Sequence, residues 1–168
     1  GLYKYDRNRK PFSVYTLGES SPEVISVAAA SKNSFWAGTN GKGVYLVESL
    51  NGGKTVTERK LVLTNANANT AMRNDIFSIA TGFNGDVWIS TKGSGIVHVN
   101  AYSVNGNTVQ SSGAVDFYNE GNGLADNHVM TLYRDSKGII WGGCWSNGLI
   151  YFSPETGMFR KLGGKLAR

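Results

Sequence analysis

One stretch of this chain occurs three times. Asp126–Phe152 reads DNHVMTLYRDSKGIIWGGCWSNGLIYF, three short β-type runs (VMTLY, IIWGG, GLIYF) separated by DSKG and WSN. Apolar runs of this length between Gly-bearing turns predict two successive hairpins. Glu23–Val47 (EVISVAAASKNSFWAGTNGKGVYLV) and Asp75–Val99 (DIFSIATGFNGDVWISTKGSGIVHV) repeat the pattern. In register they place Trp36, Trp88 and Trp141 at one position and Gly43, Gly95 and Gly148 at another, with the tryptophans 52 and then 53 residues apart. Such a period built from short strands is the signature of a propeller-like array, in which each unit buries its faces by stacking on its neighbours.

Each unit predicts four strands running from an inner to an outer position. In the first they are Val24–Ala30, Ser34–Thr39, Gly43–Glu48 and Val56–Leu63. In the second they are Ile76–Thr81, Val87–Thr91, Gly95–Tyr102 and Thr108–Tyr118. The third has Val129–Arg134, Ile139–Gly143, Gly148–Phe152 and Met158–Leu162. The opening GLYKYD matches GVYLVE, GIVHVN and GLIYFS, so the first residues predict the outer half of a further unit. The expectation is an all-β, β-propeller segment of about three and a half four-stranded antiparallel blades: a half blade over 1–17, then blades over 18–63, 64–119 and 120–168. Extra residues at SLNGGKT and AYSVNGN predict lengthened outer hairpins, and TNANANTAMRN a long connection before the second unit's inner strand. No helix of any length is expected. Closed propellers have about four to eight blades. The open faces of this segment are therefore expected to be covered, by another copy or by further units of a longer chain.

Composition excludes several classes. With 22 glycines, 3 prolines and 4 Trp, 8 Tyr and 7 Phe, the chain suits strands and tight turns and not a helical bundle. Its net charge of +5 comes from scattered Lys and Arg that never form a basic block with interleaved aromatics, which argues against a nucleic-acid partner. Cys144 is the single cysteine, so no intrachain disulfide can form and the redox compartment is undetermined. No apolar run reaches the roughly 18 residues of a membrane span, and Gly1–Lys10 is too polar for a signal peptide, so the sequence as it stands reads as soluble.

The pattern N-x-V-x-x-(I/L)-x-x-D-x-x-G-x-(I/L)-W-x-G-(T)-x-x-x-G-L, carried nearly throughout by Asn127–Leu149, resembles the two-component regulator propeller repeat. That resemblance implies a seven-bladed propeller and a periplasmic sensor domain of a hybrid two-component histidine kinase system, responding to oligosaccharides released from polysaccharides. A membrane span and a kinase module would lie in flanking segments outside this sequence, and the segment itself would not be an enzyme. The departures are Pro22, Ala30 and Ser34 in the first unit, Thr81 and Ser90 in the second, and Cys144 where the others keep Thr39 and Thr91.

The recurrent tryptophans read as wedges between blades. Trp145 does not recur: its counterparts are Asn40 and Lys92, so a large ring is added to a loop. An exposed indole suits the apolar face of a sugar, and packing on a neighbouring blade or subunit is the equal alternative. In propellers the loops between second and third strands, and those leading into inner strands, open on one face. That face is expected to carry Asn40, Lys42, Arg73, Asn74, Lys92, Asn127, His128, Trp145, Ser146 and Asn147, the candidate ligand-binding residues, together with Ser94, Asp75 and Asp126. Lys42, Lys92 and Arg73 could pair with a carboxylate or sulfate, so acidic oligosaccharides are among the expected ligands.

Other residues read structurally. His98 is expected to be a hydrogen-bonded strand residue or to face solvent, and His98 and His128 lack the clustered Cys, Asp or Glu of a metal site. Cys144 reads as a small buried side chain. Asp75 and Asp126, taken as equivalent positions, could in principle form a glycosidase pair but are better explained as turn residues. No catalytic residue and no cofactor is expected. The competing functions are a structural or protein-interaction propeller without a small-molecule site and, more remotely, a propeller lyase or glycosidase.

Overall fold

The computed structural model describes residues 2–3, 14–18, 20–50, 55–64 and 73–163. The turn RNRKP, the tip of SLNGGKT and most of TNANANTAMRN lie outside the described residues. Two short strands, β1 (Leu2–Tyr3) and β2 (Val14–Tyr15), pair antiparallel. The first large sheet contains β3 (Val24–Ser31), β4 (Ser34–Thr39), β5 (Val44–Leu50) and β6 (Thr55–Val62). The second contains β7 (Ile76–Thr81), β8 (Val87–Thr91) and β9 (Gly95–Val99). Next come β10 (Tyr102–Asn105), β11 (Thr108–Ser111) and β12 (Val115–Tyr118). The third sheet is β13 (Val129–Arg134), β14 (Ile140–Cys144), β15 (Leu149–Ser153) and β16 (Met158–Lys161). Each sheet has its four-strand meander in sequence order, the inner strands being β3, β7 and β13. The molecule is all-β, a run of propeller blades, with one 3-10 turn among the described residues, at Glu120–Asn122.

The second unit departs from expectation. Its third strand stops at Val99 and its outer strand is Val115–Tyr118, not Gly95–Tyr102 and Thr108–Tyr118. The intervening β10–β11 hairpin leaves its own blade and extends the first sheet, β11 pairing in parallel with β6 (Val109 opposite Leu61). Gly106–Asn107 makes the turn, with Gly106 at φ 57. Burial explains the crossing: Val109 is fully buried in the seam between the first two blades, and Tyr102 meets the Trp36 ring edge-on at 4.9 Å. Thr64 fastens the far end, its N–H donating to Ser111 Oγ at 2.9 Å and its hydroxyl to the Ser111 carbonyl at 2.7 Å.

The core lies in the seams between blades. Trp36, Ile76, Ile79, Ile89 and Val97 fill the first seam, and Trp88, Ile96, Leu132, Ile140 and Phe159 fill the second. Residues of alternate strand parity reach opposite faces, so one blade serves both seams. Hydroxyls stitch successive inner strands together. Ile79 N–H donates to Ser26 Oγ at 3.0 Å, and Leu132 N–H donates to Ser78 Oγ at 2.9 Å. A second stitch joins each third strand to the next blade: Gly43 N–H to the Asn74 carbonyl at 2.9 Å, and Gly95 N–H to the Asn127 carbonyl at 3.0 Å. These recurrent glycines are at φ 84 and 81, and Gly148 at 73, a backbone region that a side chain would strain.

Trp36 and Trp88 are the expected wedges, buried in the two seams. Trp141 is only half-buried, on the face of the third sheet that also presents Tyr133, Leu149 and Met158. At the other end of the array, Ile25 and Val27 of β3 are each 51% exposed, whereas Ile79 and Leu132, the counterparts of Val27, are buried. On the first blade's free face Leu17 buries Ala37 and Val47, leaving the part at Ile25 and Val27 exposed, and the third sheet's free face is exposed at Tyr133, Leu149 and Met158.

Candidate functional site

The loop face is ordered by backbone bonds that fix which residues correspond. Asn40 N–H donates to the Glu23 carbonyl, Lys92 N–H to that of Asp75, and Trp145 N–H to that of His128, at 3.0, 2.9 and 2.9 Å. Trp145 therefore does stand where the other units have Asn40 and Lys92. Asp75, however, corresponds to His128 and not to Asp126, which corrects the carboxylate pairing expected from the sequence. Matching the two acids by residue type had shifted the register by two.

In the first two units the turn after the second strand is closed by its own threonine. Thr39 Oγ1 donates to the Gly43 carbonyl at 2.7 Å, and Thr91 Oγ1 to that of Gly95 at 3.2 Å. The Thr39 oxygen also accepts Lys42 N–H at 3.2 Å. Cys144 cannot repeat this in the third unit. There Asp126 reaches across instead: its Oδ1 accepts His128 N–H at 2.8 Å and its Oδ2 accepts Ser146 N–H at 3.0 Å. Asp126 is 5% exposed, and the backbone donors of His128 and then Ser146 hold its carboxyl below its ordinary range. Burial pushes the Cys144 thiol up, with the Asp126 charge adding to it, so the thiol is not an activated nucleophile.

Four of the candidate residues meet over this carboxylate. Lys92 and His128 form an antiparallel bridge across the seam between second and third blades. The His128 ring lies against the adjoining turn, its Nε2 3.3 Å from where a Cβ on Gly93 would stand. Trp145 follows His128 in the same row, with 73% of its surface exposed, and Ser146 is exposed beside it. Asn147 turns to the outer strand, its Oδ1 accepting from Lys161 Nζ at 3.3 Å. Lys161 carried no signal in the sequence, because only the fold brings β16 to this turn.

The remaining candidates lie elsewhere or are engaged. Asn127 exchanges two bonds with Glu120, through its Oδ1 (2.9 Å) and its own N–H (3.0 Å), and so ties down the 3-10 turn. Asn40 donates to Glu23 Oε2 at 3.1 Å. Asn74 caps the first seam, its Oδ1 lying over Gly43, while Lys42 and Arg73 are exposed. Ser94 is half-buried in the Lys92 turn. Among the described residues no three His, Cys, Asp or Glu side chains converge to hold a metal ion, and no helix is long and apolar enough to cross a membrane.

A second polar cluster lies away from the loop face. His98, buried on β9, stacks on Trp88 at 3.6 Å and 12°, and its Nε2 is 2.9 Å from Asp86 Oδ2. Asp86 Oδ2 also accepts the Trp88 indole N–H at 2.7 Å, and Asp116 lies 3.6 Å from His98 Nδ1. Of the two roles expected for His98, the structure shows the hydrogen-bonded strand residue.

Residues 123–146 match the family described as "Two component regulator propeller". No curated protein matches the chain. Among solved structures, it is similar to the extracellular domain of BT3049 from B. thetaiotaomicron, described as a hybrid two component system. The identity is 23% and the TM-score 0.67, over 93% of this chain and 19% of that one. It is also similar to the extracellular domain of BT4673 from the same organism, described likewise, at 21% identity and TM-score 0.59, over 83% and 18% of the two chains. The chain thus spans about a fifth of the length of the structures it matches. Its fold is that of these extracellular domains, and it is a propeller segment whose residues 123–146, in the third blade, match the two component regulator propeller family.

Proposed function

We propose that this chain is part of the ligand-sensing, extracytoplasmic portion of a hybrid two-component system, and that its loop face binds an oligosaccharide. The observation that carries the reading is the placement of Trp145. The matched repeat, residues 123–146, ends at an exposed indole where its two sibling units have small or charged side chains. An exposed ring beside amide, hydroxyl and cationic groups is the chemistry of a sugar subsite. The likeness to the extracellular domains of two-component systems supports a sensor, a periplasmic location and a segment without catalytic groups of its own.

The mechanism is a population shift. A ligand contacting more than one blade favours one arrangement of the sensor over another, and flanking membrane segments carry the difference inward. The remainder of the propeller, or a second copy, covers the open faces at Ile25 and Val27 and at Tyr133, Leu149 and Met158. Those faces also favour a second reading, a propeller that works through protein contacts alone. Calorimetry with a panel of neutral and acidic oligosaccharides separates the two. Saturable binding supports the sensor, and no binding across the panel supports the interaction module.

A further inference from the structure

Resting on the ligand-sensing reading, the geometry points to a narrower assignment: the seam between the second and third blades is a subsite for an acidic sugar residue, its ring on Trp145 and its carboxylate or sulfate on Lys92. Three residues form one row across the seam. Lys92 bridges His128 backbone to backbone, and Trp145 N–H donates to the His128 carbonyl at 2.9 Å. Directly opposed residues in an antiparallel pair project to the same side, so ammonium, imidazole and indole share one surface. Neighbouring strands lie about 4.8 Å apart, so Lys92 and Trp145, with His128 between them, are roughly 10 Å apart at the backbone, a gap that a sugar ring seated on the indole and the extended lysine side chain span together.

The floor of this row is built. Asp126, 5% exposed, bonds the N–H groups of His128 and Ser146 at 2.8 and 3.0 Å, and so fixes the Trp145 turn to the loop leading into β13. In the first two units the equivalent turns close on their own threonines, and neither carries an aromatic residue. The unit that exposes a ring is therefore the one whose loops are locked together by a buried charge, which reduces the ordering cost of binding.

Charge selects the ligand class. Lys92 lies beyond His128 on one side of Trp145, and from the outer strand Lys161 reaches the Trp145 turn, its Nζ 3.3 Å from Asn147 Oδ1. Neither lysine makes an ion pair within 4.0 Å among the described residues. The Asp126 carboxylate is engaged by its backbone donors, which leaves the two ammonium groups to an incoming anion.

The test is a fluorescence titration of the 168-residue chain with a glucuronate-containing disaccharide, its sulfated form and a neutral disaccharide of the same linkage. Trp145 is by far the most exposed of the four tryptophans, so stacking alters its emission. The assignment predicts at least tenfold tighter binding of both acidic sugars than of the neutral one, weakening as salt is raised. It also predicts at least tenfold loss in Trp145→Ala, read by calorimetry, and in Lys92→Gln, both with unchanged thermal unfolding. Equal binding of the neutral sugar, or binding indifferent to Trp145→Ala and Lys92→Gln, overturns this subsite and leaves the sensor reading standing. Failure of all three sugars and of a wider neutral panel overturns both.

Discussion

Asp126 and Ser146 are joined across the loop face by a 3.0 Å bond from the Ser146 N–H to a carboxylate that also accepts the His128 N–H. This replaces a local threonine closure with a long-range one, so the third blade's loops should depend on a single acid. Asp126→Ala is expected to cost about 1–3 kcal/mol, the usual penalty for stranded buried donors, and to lower Tm by several degrees. Calorimetric unfolding checks it.

The same acid sets a pH dependence. Its pKa is lowered in the folded state by the His128 and Ser146 N–H groups. The unfolded chain therefore takes up this proton first as pH falls. The contribution is fully present above the ordinary carboxylate range and is lost as pH drops through the folded value. The Tm difference between the parent chain and Asp126→Ala should narrow steadily below about pH 4.

His98 acts in a neighbouring window. Burial lowers its pKa despite the opposing pull of Asp86 and Asp116, so folding favours the neutral ring. Its contribution is complete above the unfolded value of about 6.5 and declines as pH falls below it. His98→Gln should flatten the fall in Tm as pH drops below about 6.5. An NMR titration of the imidazole should give a midpoint below that of free histidine.

Trp36 lacks what its siblings have. The Trp88 and Trp141 indoles donate to Asp86 and Asp135 at 2.7 and 2.9 Å, whereas the fully buried Trp36 Nε1 has no acceptor among the described residues. Ser34 and Ala30 occupy the positions from which those acids reach. Ser34→Asp should supply the missing acceptor, adding about 1 kcal/mol and raising Tm by about 2–4 °C.

Removing the hydroxyl of Ser78 strands Leu132 N–H inside the second seam. Ser78→Ala should lower the urea midpoint by an amount equivalent to about 1–3 kcal/mol, with the slope unchanged because the blades unfold together.

The repeat, the three meanders and the wedge role of Trp36 and Trp88 were legible because Trp and positive-φ Gly recur at fixed strand positions. The crossing of Tyr102–Ser111 onto the first blade was not. Its parallel register on β6 is set by the burial of Val109 and Tyr102 against a blade some 50 residues upstream, and no local pattern encodes that. On the loop face the sequence placed the Trp145 and Lys92 turns correctly. It did not reveal that Asp126 floors them, since a buried acid bonding two backbone amides reads, residue by residue, like any turn aspartate. The Ser26 and Ser78 stitches escaped for the same reason: a serine in a strand carries no signal of what faces it.

The most direct test of the account is amide and indole NMR of the 168-residue chain during titration with acidic oligosaccharides. Ligand should shift the Trp145 indole N–H and the amides of Lys92, His128 and Ser146, with the Trp36 and Trp88 indoles unmoved. Saturating ligand that leaves the Trp145 indole and these amides unchanged would contradict a ligand site on the loop face.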